Sequence, residues 1–335
     1  MVFSLKKTEA FEAPVIDQLS IRVIVDSVYE RFLPAGTHSF AKIEHVGVIS
    51  GRQMSTLACE WGLSLHLESI VGGLSAEYLL DFGYTPEILN RNFDLLDINP
   101  KKLNGLILSH AHRDHFGGME GFVTKFRHRM QESMPFIVGG EGIFRERWTK
   151  GGGGEWVSWG ALDRTALVAQ NVTPIACEEP QALEGAFTTG YIERTSFEEN
   201  TGGSMVASDD HYTDEERQGK LIKDDHPEEH ATCYIVKGRG LVVISSCGHT
   251  GIINTIQTAM AVTNVDKLHA VVGGFHLGAA KQEYIQHTVD EFEKLGPDIV
   301  IPMHCSGTRF IEEMRRRMPN TLVTTNVGSR FTLGV

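Results

Sequence analysis

Short blocks of apolar residues recur through the first half of the chain. Between them, residues 85–100 and 119–131 repeat their apolar positions at helical spacing, and Pro100 ends the first of these helices. The apolar blocks are β-branched or alternate with polar residues, and they predict strands at residues 19–27, 62–69, 76–83, 103–110 and 134–140. Strands that alternate with helices predict an α/β layer structure.

The second half of the chain repeats this rhythm. Residues 231–247 predict a β-hairpin with its turn at residues 237–240, where two glycines occur. Further strands are predicted at residues 268–276 and 298–305, and helices at residues 251–263, 281–296 and 309–318. Parallel strands in such a fold direct their carboxyl ends to one side, where functional sites collect.

Two segments break the pattern. Residues 148–163 combine a run of four glycines with three tryptophans. This predicts either a lid loop over a pocket or a surface loop that packs its own aromatic rings. Within the lid, Trp156 is a candidate substrate contact. Residues 197–230 are polar and weakly periodic, and they predict an irregular insertion that is partly ordered over the site.

Composition limits the classes of partner. A chain of 335 residues with a hydrophobic fraction of 41% can bury a large core, and we expect residues 1–335 to form one domain. Asp and Glu outnumber Lys and Arg by 43 to 31 without a basic stripe, which disfavours nucleic acid. No stretch approaches the roughly 18 apolar residues of a membrane span. The five scattered cysteines favour a reducing, cytoplasmic location, and the expected partner is a small molecule.

Histidines cluster where predicted strands end. Residues 110–115 read His-Ala-His-Arg-Asp-His, directly at the end of a predicted strand, and two further strands end at His276 and His304. His249 follows another strand, two residues after Cys247. Taken singly, His276 and His304 could cap their strands, and Cys247 could be a small buried apolar residue.

The residue types in this cluster suit metal ions, because neutral imidazole and carboxylate groups are ligands of zinc and similar divalent ions. His110 and His112 lie two residues apart on an extended segment, so both can face one ion. Asp114 and His115, in the turn that follows, can reach a second ion. Two ions roughly 3.5–4 Å apart can hold a shared hydroxide as nucleophile.

The segment at residues 110–115 resembles the signature of the metallo-β-lactamase superfamily, whose fold is a four-layer αββα sandwich. The resemblance is stronger to a branch of dihydropterin ribofuranosylaminobenzene phosphate synthase-like proteins. That branch is indicated by the blocks EWGLSLHLE, LLDFG, TTGYIERTSFE, LVVISSCGHTGI, VVGGFHL and IPMHCSG. These blocks extend from about residue 20 to about residue 330 and cover nearly the whole chain.

The resemblance implies roles for individual residues. His110 and His112 match ligands of a first ion, and a second ion would be held by Asp114, His115 and His304. Asp81 matches the aspartate that holds the first histidines in place by hydrogen bonding.

The chain departs from the superfamily pattern where a bridging aspartate is usual, because Cys247 occupies that position. His249 is the preferred third ligand of the first ion, and His230, at the usual place for that ligand, is the alternative. His276 is expected to be a ligand or to contact the substrate, and Cys247 to be a ligand or a bridge. The sequence leaves open whether one ion binds or two.

Two further residues are candidates for the surroundings of the site. Asp26, at the end of the first predicted strand, is expected to line it. Arg194, beside Glu193, is expected either to bind an anionic substrate group or to form a solvated ion pair.

The cluster favours a metal-dependent hydrolase that uses Zn²⁺, with Mn²⁺ or Fe²⁺ as alternatives, on an ester, lactone, phosphoester or activated aromatic carbon. Asp114 would move a proton, and His276 would stabilise developing negative charge. One alternative is a synthase or lyase acting on a phosphorylated, pterin-like substrate. Another is a non-enzymatic module that binds metal or ligand, favoured by the missing aspartate. A homodimer is compatible with the sequence but not required by it.

Overall fold

The computed structural model describes residues 11–200, 202–207 and 221–334. Within these residues the strands are β1 (Val15–Ile16), β2 (Gln18–Val25), β3 (Gly36–His38), β4 (Ala41–Glu44), β5 (Ser64–Val71), β6 (Leu74–Leu80), β7 (Leu103–Leu108), β8 (Met134–Val138), β9 (Arg147–Lys150), β10 (Trp156–Gly160), β11 (Val172–Ala176), β12 (Gln181–Leu183), β13 (Ala186–Thr188), β14 (Met205–Val206), β15 (Ile222–Lys223), β16 (Thr232–Val236), β17 (Gly240–Ser245), β18 (Leu268–Gly273), β19 (Ile299–Pro302) and β20 (Arg330–Leu333).

Helices alternate with strands in each half of the chain. The α-helices are α1 (Pro86–Leu95), α2 (Arg113–Phe116), α3 (Met119–Phe126), α4 (Arg164–Ala169), α5 (Ile252–Thr263), α6 (Gln282–Leu295) and α7 (Thr308–Arg317). Short 3₁₀ helices occupy Pro100–Lys102, Arg127–Arg129, Glu141–Phe144 and His304–Ser306. None of the helices in the described part of the chain is long and apolar enough to span a membrane.

Two large sheets form the centre of the fold. One has nine strands in the order β11-β8-β7-β6-β5-β2-β20-β4-β3. The other has seven strands and contains the path β12-β13-β16-β17-β18-β19, with β1 paired to β16. In the first sheet β6, β7 and β8 run parallel, and in the second β17, β18 and β19 run parallel. The carboxyl ends of each parallel triplet therefore lie at one edge of its sheet.

The inward faces of the two sheets share one hydrophobic core. Alternate residues point inward, so Val242 and Ile244 of β17 join Leu65 and Leu67 of β5 in the same buried cluster. The intervening residue Val243 belongs to a different cluster on the outward face. This alternation explains why the sequence can cover both faces of each sheet.

Helices cover the outward faces. Phe93 of α1 and Phe122 of α3 pack against the nine-stranded sheet, with their ring centroids 5.0 Å apart. On the seven-stranded sheet, α5, α6 and α7 bury Ile256, Phe292 and Phe310. The layer order of helix, sheet, sheet and helix confirms the predicted αββα sandwich. That residues 1–335 form one domain stays a prediction.

A smaller, four-stranded sheet in the order β10-β9-β14-β15 arises from the two segments that break the sequence pattern. Within residues 148–163, β9 and β10 pair as an antiparallel hairpin rather than forming an irregular loop, and the role of this segment as a lid stays a prediction. The glycine run forms its turn, in which Gly154 has a φ of +85°, a conformation that favours glycine. Residues 197–230 supply β14 and β15, while residues 201 and 208–220 lie outside the described part of the chain.

The chain leaves the extended conformation just where several site residues begin. β6 ends at Leu80, and Asp81 follows with a φ of +58°. His276 and His304 lie beyond β18 and β19 with φ values of +50° and +47°. Positive φ is uncommon at non-glycine residues and clusters at functional sites. The predicted strands therefore extend a few residues beyond the observed ones.

Candidate metal centre

The segment after β7 brings three histidines together. His110 and His112 follow the strand, and the one-turn helix α2 returns Asp114 and His115 to the same place. The ring centroid of His110 lies 4.7 Å from that of His112 and 4.3 Å from that of His115. One compact turn therefore presents most of the predicted ligands.

Two glycines allow this turn to pack closely. A Cβ atom on Gly117 would lie 2.2 Å from the carbonyl oxygen of Tyr84, and one on Gly118 would lie 2.2 Å from that of Phe82. Any larger residue would push α2 away from the end of β6. The glycines thus help to set the position of the histidines.

The seven-stranded sheet supplies the facing donors. His249 follows β17, and its ring centroid lies 4.9 Å from that of His110 and 4.5 Å from that of His112. His304 follows β19, and its Nε2 lies 3.3 Å from Asp114 Oδ2. The predicted ligands from both halves of the chain therefore lie in one cluster.

Cys247 lies between two parts of this cluster. Its sulfur and donor nitrogens of His110 and His249 lie within 4.8 Å of one another. The same holds for its sulfur with donor nitrogens of His115 and His304. One sulfur atom is thus near both histidine pairs, at the position where the superfamily pattern has an aspartate.

His276 lies beside this sulfur and is half-buried. Its Nδ1 lies 3.5 Å from Cys247 Sγ, and its ring centroid lies 4.1 Å from that of His249. Its backbone N–H donates to Cys305 Sγ at 3.2 Å. This position suits either predicted role, as a ligand or as a substrate contact.

The donor atoms of the cluster fit a metal ion. Within the described part of the chain, no hydrogen-bond partner faces the buried Nε2 atoms of His110 and His115 or either ring nitrogen of His249. A buried polar atom without a partner costs about 1–3 kcal/mol, and most such atoms in folded proteins are satisfied. Several unsatisfied imidazole nitrogens beside a thiol form the kind of donor set that zinc occupies.

Burial keeps two of these histidines neutral. Loss of solvation and the charges of neighbouring histidines hold the pKa of His110 and of His249 well below the ordinary value. Neutral imidazole is the form that binds metal. At His115 burial opposes the charged form, but Asp114 and Asp81 outweigh it and raise the pKa to about 9. Metal binding there would release a proton at neutral pH.

Asp81 positions part of the cluster by accepting hydrogen bonds. Its Oδ2 accepts hydrogen bonds from His115 Nδ1 at 2.6 Å and from Ser109 Oγ at 2.8 Å, and its Oδ1 accepts from the Ser109 N–H at 2.8 Å. Ser109 Oγ lies 3.0 Å from His110 Nδ1. The expected role is therefore corrected in detail, because Asp81 holds His115 directly and reaches His110 through Ser109.

Sequence reasoning misses His226, which follows β15 and joins the cluster. Its ring stacks on His249 with centroids 4.2 Å apart and lies 4.8 Å from that of His112. The backbone N–H of His226 donates to Asp224 Oδ1 at 3.0 Å, and Asp224 in turn pairs with the buried Arg147. No periodic pattern surrounds His226, so the available signal was a dense run of charged residues inside a segment predicted to cover the site.

A cavity of about 230 Å³ leads to the cluster. Its walls include Trp61, Tyr84, Arg113 and Trp159. The Trp159 ring meets that of His112 edge-on, with centroids 4.8 Å apart. Aromatic and basic groups thus surround the entrance to the metal centre.

Trp156 and Arg194, the predicted substrate contacts, do not line this cavity. Trp156 is 44% exposed and borders a second cavity with Trp148 and Met205. Arg194 donates to the carbonyl oxygen of Asp225 at 2.6 Å. Trp159, three residues after Trp156 on β10, reaches the metal cavity in its place, at a β-bulge between Ser158 and Gly160.

Two other candidates have structural partners. His230 Nε2 lies 3.0 Å from the carbonyl oxygen of Leu108, so His249 rather than His230 faces the first two histidines. Asp26 Oδ1 accepts the backbone N–H of His304 at 2.9 Å. Asp26 therefore positions the chain at His304 and borders a neighbouring cavity rather than the metal cavity.

Comparison with known proteins matches this arrangement. A family model described as the metallo-β-lactamase superfamily matches residues 73–129, which contain Asp81 and residues 110–115. The solved structure of Tm1679, a metal-dependent hydrolase of the β-lactamase superfamily, has a TM-score of 0.67 and 22% identity, covering 93% of this chain and 98% of that one. The chain therefore has the metallo-β-lactamase fold and resembles that superfamily in sequence at residues 73–129.

Two curated relatives come from Methanocaldococcus jannaschii. A 7,8-dihydropterin-6-methyl-4-(β-D-ribofuranosyl)-aminobenzene-5′-phosphate synthase is 28% identical over 267 residues, which are 76% of this chain and 85% of the relative. An uncharacterised protein is 24% identical over 251 residues, 75% and 86% of the two chains. The resemblance to the synthase-like branch is thus confirmed. The metallo-β-lactamase fold and the clustered donors together indicate a metal centre.

Proposed function

We propose that the protein is a metal-dependent hydrolase that binds two zinc ions, in which Cys247 would take the place of the usual bridging carboxylate. The observation that carries this proposal is the position of Cys247 Sγ, which lies within 4.8 Å of donor nitrogens in two different histidine pairs. A thiolate among imidazoles favours zinc over Mn²⁺, which prefers oxygen ligands. Fe²⁺ is the better alternative to zinc, because imidazole also binds iron.

The ligands divide into two sets. In this proposal the first ion is held by His110, His112 and His249, and the second by Asp114, His115 and His304. When bound, such ions lower the pKa of a water molecule to about 7 and polarise a substrate oxygen.

Asp114 serves this site as a carboxylate. Burial would raise its pKa, but His115 and His304 outweigh burial and hold the pKa well below its usual range. Asp114 is therefore proposed first as a ligand, because a carboxylate with so low a pKa is a weak proton acceptor.

His276 faces the cavity where negative charge would develop on a substrate. Burial alone would lower its pKa, but the Cys305 sulfur outweighs burial and raises it. The imidazole can then donate a hydrogen bond to an oxyanion. Together with the small cavity, this suits a compact substrate with an ester, lactone, phosphoester or activated aromatic C–X group.

A second candidate is a synthase that acts on a phosphorylated, pterin-like substrate. The observation that favours it is the 28% identity to the dihydropterin ribofuranosylaminobenzene phosphate synthase over 76% of this chain. Trp61 and Trp159 offer flat faces for a planar ring. The same ligands would then position a substrate for bond formation rather than for attack by water.

Metal content tests the site before any substrate is known. Reduced, full-length protein is analysed by inductively coupled plasma mass spectrometry before and after chelation and addition of zinc or manganese. We expect near two ions per chain after zinc addition. One ion or none would contradict the two-ion proposal and would favour a mononuclear enzyme or a binding module.

A substrate screen then separates the two catalytic candidates. Chromogenic esters, lactones, phosphodiesters and chlorinated aromatic nitriles are offered beside a phosphorylated pterin precursor. Zinc-dependent hydrolysis of one class, lost in His110→Ala, supports the hydrolase. Turnover restricted to the pterin precursor supports the synthase and contradicts the hydrolase.

A further inference from the structure

Cys247 and Cys305 form a close pair of thiols at the metal centre. They follow β17 and β19, which flank β18 in the parallel part of the seven-stranded sheet. Their sulfur atoms lie 3.3 Å apart, and the two residues are 3% and 6% exposed. Both line the metal cavity, through which a small reagent can reach them.

Two hydrogen bonds hold the Cys305 sulfur beside Cys247. The His276 N–H donates to Cys305 Sγ at 3.2 Å, and the Cys305 thiol donates to the Cys247 carbonyl oxygen at 3.4 Å. A disulfide requires sulfurs about 2.05 Å apart, so the pair must close by about 1.2 Å.

We propose that Cys247 and Cys305 are an oxidation site, at which a peroxide joins the two sulfurs in a reversible disulfide and withdraws Cys247 from the metal donors. The effect on metal rests on the proposed function, in which Cys247 takes the place of the usual bridging carboxylate. Formation of the disulfide does not depend on that function.

The chemistry balances with hydrogen peroxide as the named oxidant. One cysteine sulfur attacks a peroxide oxygen, the O–O bond breaks, and a sulfenic acid and water form. The second sulfur then attacks the sulfenic sulfur, so that the S–S bond forms while the S–O bond breaks, and the hydroxyl leaves with the remaining thiol proton as a second water. Two thiols and one peroxide thus give one disulfide and two waters.

A metal ion and the disulfide compete for the same sulfur. When Cys247 binds zinc, its lone pair is engaged and the approach toward Cys305 is opposed. The metal-free protein should therefore oxidise faster than the zinc-loaded protein. Conversely, the oxidised protein should hold less zinc, because a disulfide sulfur is a poor ligand compared with a thiolate.

The test uses the full chain, metal-free or loaded with zinc, and treated with hydrogen peroxide. Free thiols are then alkylated under denaturing conditions, and peptides are mapped by mass spectrometry. Cys59→Ser, which removes an exposed thiol, is the matched control for Cys305→Ser. Zinc capacity is measured separately on the reduced and the oxidised protein.

We expect a disulfide-linked peptide pair that joins Cys247 to Cys305 within one chain. Its mass should be roughly 2 Da below the sum of the two thiol peptides, and dithiothreitol should convert it back to the two thiols. It should form in the metal-free wild type and in Cys59→Ser, disappear in Cys305→Ser, and form roughly tenfold more slowly with zinc bound. The oxidised protein should bind at least one ion fewer per chain than the reduced protein.

Absence of the linked peptide from metal-free wild type, or conversion of each cysteine separately to sulfinic acid, would overturn the oxidation site whether or not any variant folds. A linked protein that keeps its full zinc capacity would overturn the effect on metal. Failure of the hydrolase proposal is seen in reduced protein and leaves the peptide map unchanged, so the two failures are distinguishable.

Discussion

The two large sheets and the small four-stranded sheet contribute to the metal centre in different ways. The large sheets carry candidate ligands just beyond their strand ends, among them His110 and His249. The small sheet supplies neighbours of those ligands, since Trp159 packs against His112 and Ser204 Oγ lies 3.1 Å from His112 Nε2. The large sheets therefore carry most of the candidate donors, whereas the small sheet shapes the approach to them and adds the neighbouring His226.

The two regions are also stabilised differently. The large sheets bury apolar residues such as Ile244 in a shared core. In the small sheet the buried Arg147 pairs with Asp224 and Glu228, while Trp156 stays 44% exposed. Buried ion pairs add little net stability compared with apolar packing. We infer that metal binding depends on the large sheets, and that changes in the small sheet alter substrate binding more than metal binding.

The largest expected effect lies in the large sheets. His110→Ala should remove bound metal and abolish activity, while the chain stays folded because no partner in the described structure depends on His110 Nε2. Metal analysis and circular dichroism check both statements. His128→Ala, at an exposed histidine, is the matched control and should change neither. Full metal content and activity in His110→Ala would contradict the site.

The link between the two regions gives the next prediction. Glu198 is buried and accepts the N–H groups of Ile253 and Asn254 at 2.9 and 3.0 Å, which fastens the segment before β14 to the start of α5. Burial raises its pKa from 4.5 to about 7, although these N–H groups oppose the rise. Between pH 4.5 and about 7, Glu198 is therefore protonated in the folded protein and ionised in the unfolded chain.

Glu198 should thus stabilise the protein fully below pH 4.5, and this contribution should be lost as the pH rises to about 7. Relative to Glu198→Gln, the free energy of unfolding of the wild type should fall by about 3 kcal/mol across this range. Urea unfolding of both proteins at pH 5 and pH 8 measures the difference. Equal differences at the two pH values would reject the assignment.

Substitution of Asp81, which holds His115 by a hydrogen bond, is expected to have a smaller effect on metal binding than substitution of a ligand. Asp81→Asn weakens the hydrogen bonds to His115 and Ser109, so metal affinity should fall roughly 10–100-fold, as is typical when such a partner is lost. Competition with a chromogenic chelator measures this affinity. Unchanged affinity would show that α2 alone fixes the histidines.

Much of the large-sheet architecture could be predicted because apolar alternation marks strands, and parallel strands must end at one edge. These two rules predict that His110, His249 and His304 lie together. The same reasoning could not assign the partner of Asp81. This residue lies just after a strand and has a left-handed backbone conformation, which sets the direction of its side chain. The periodicity of the sequence does not encode that conformation.

The small sheet could not be predicted for a different reason. Its strands β14 and β15 are two residues long each, too short for any alternation to appear. His226 is placed by Asp224 and the buried Arg147, which are far apart in the sequence. Contacts between charged residues that are distant in the sequence leave no periodic signal. The position of His226 beside the candidate ligands therefore could not be predicted without the fold.

The smallest expected effect tests the small sheet directly through two tryptophans of one strand. Trp159→Ala should raise KM roughly 2–10-fold on whichever substrate the screen yields, because an aromatic contact contributes about 0.5–1.5 kcal/mol. Trp156→Ala, which alters a residue outside the metal cavity, should leave KM unchanged. Metal content should stay the same in both variants, since neither residue supplies a ligand. A rise in KM for Trp156→Ala alone would reverse the assigned roles, and metal loss in Trp159→Ala would mean that the small sheet helps to build the site rather than to shape its approach.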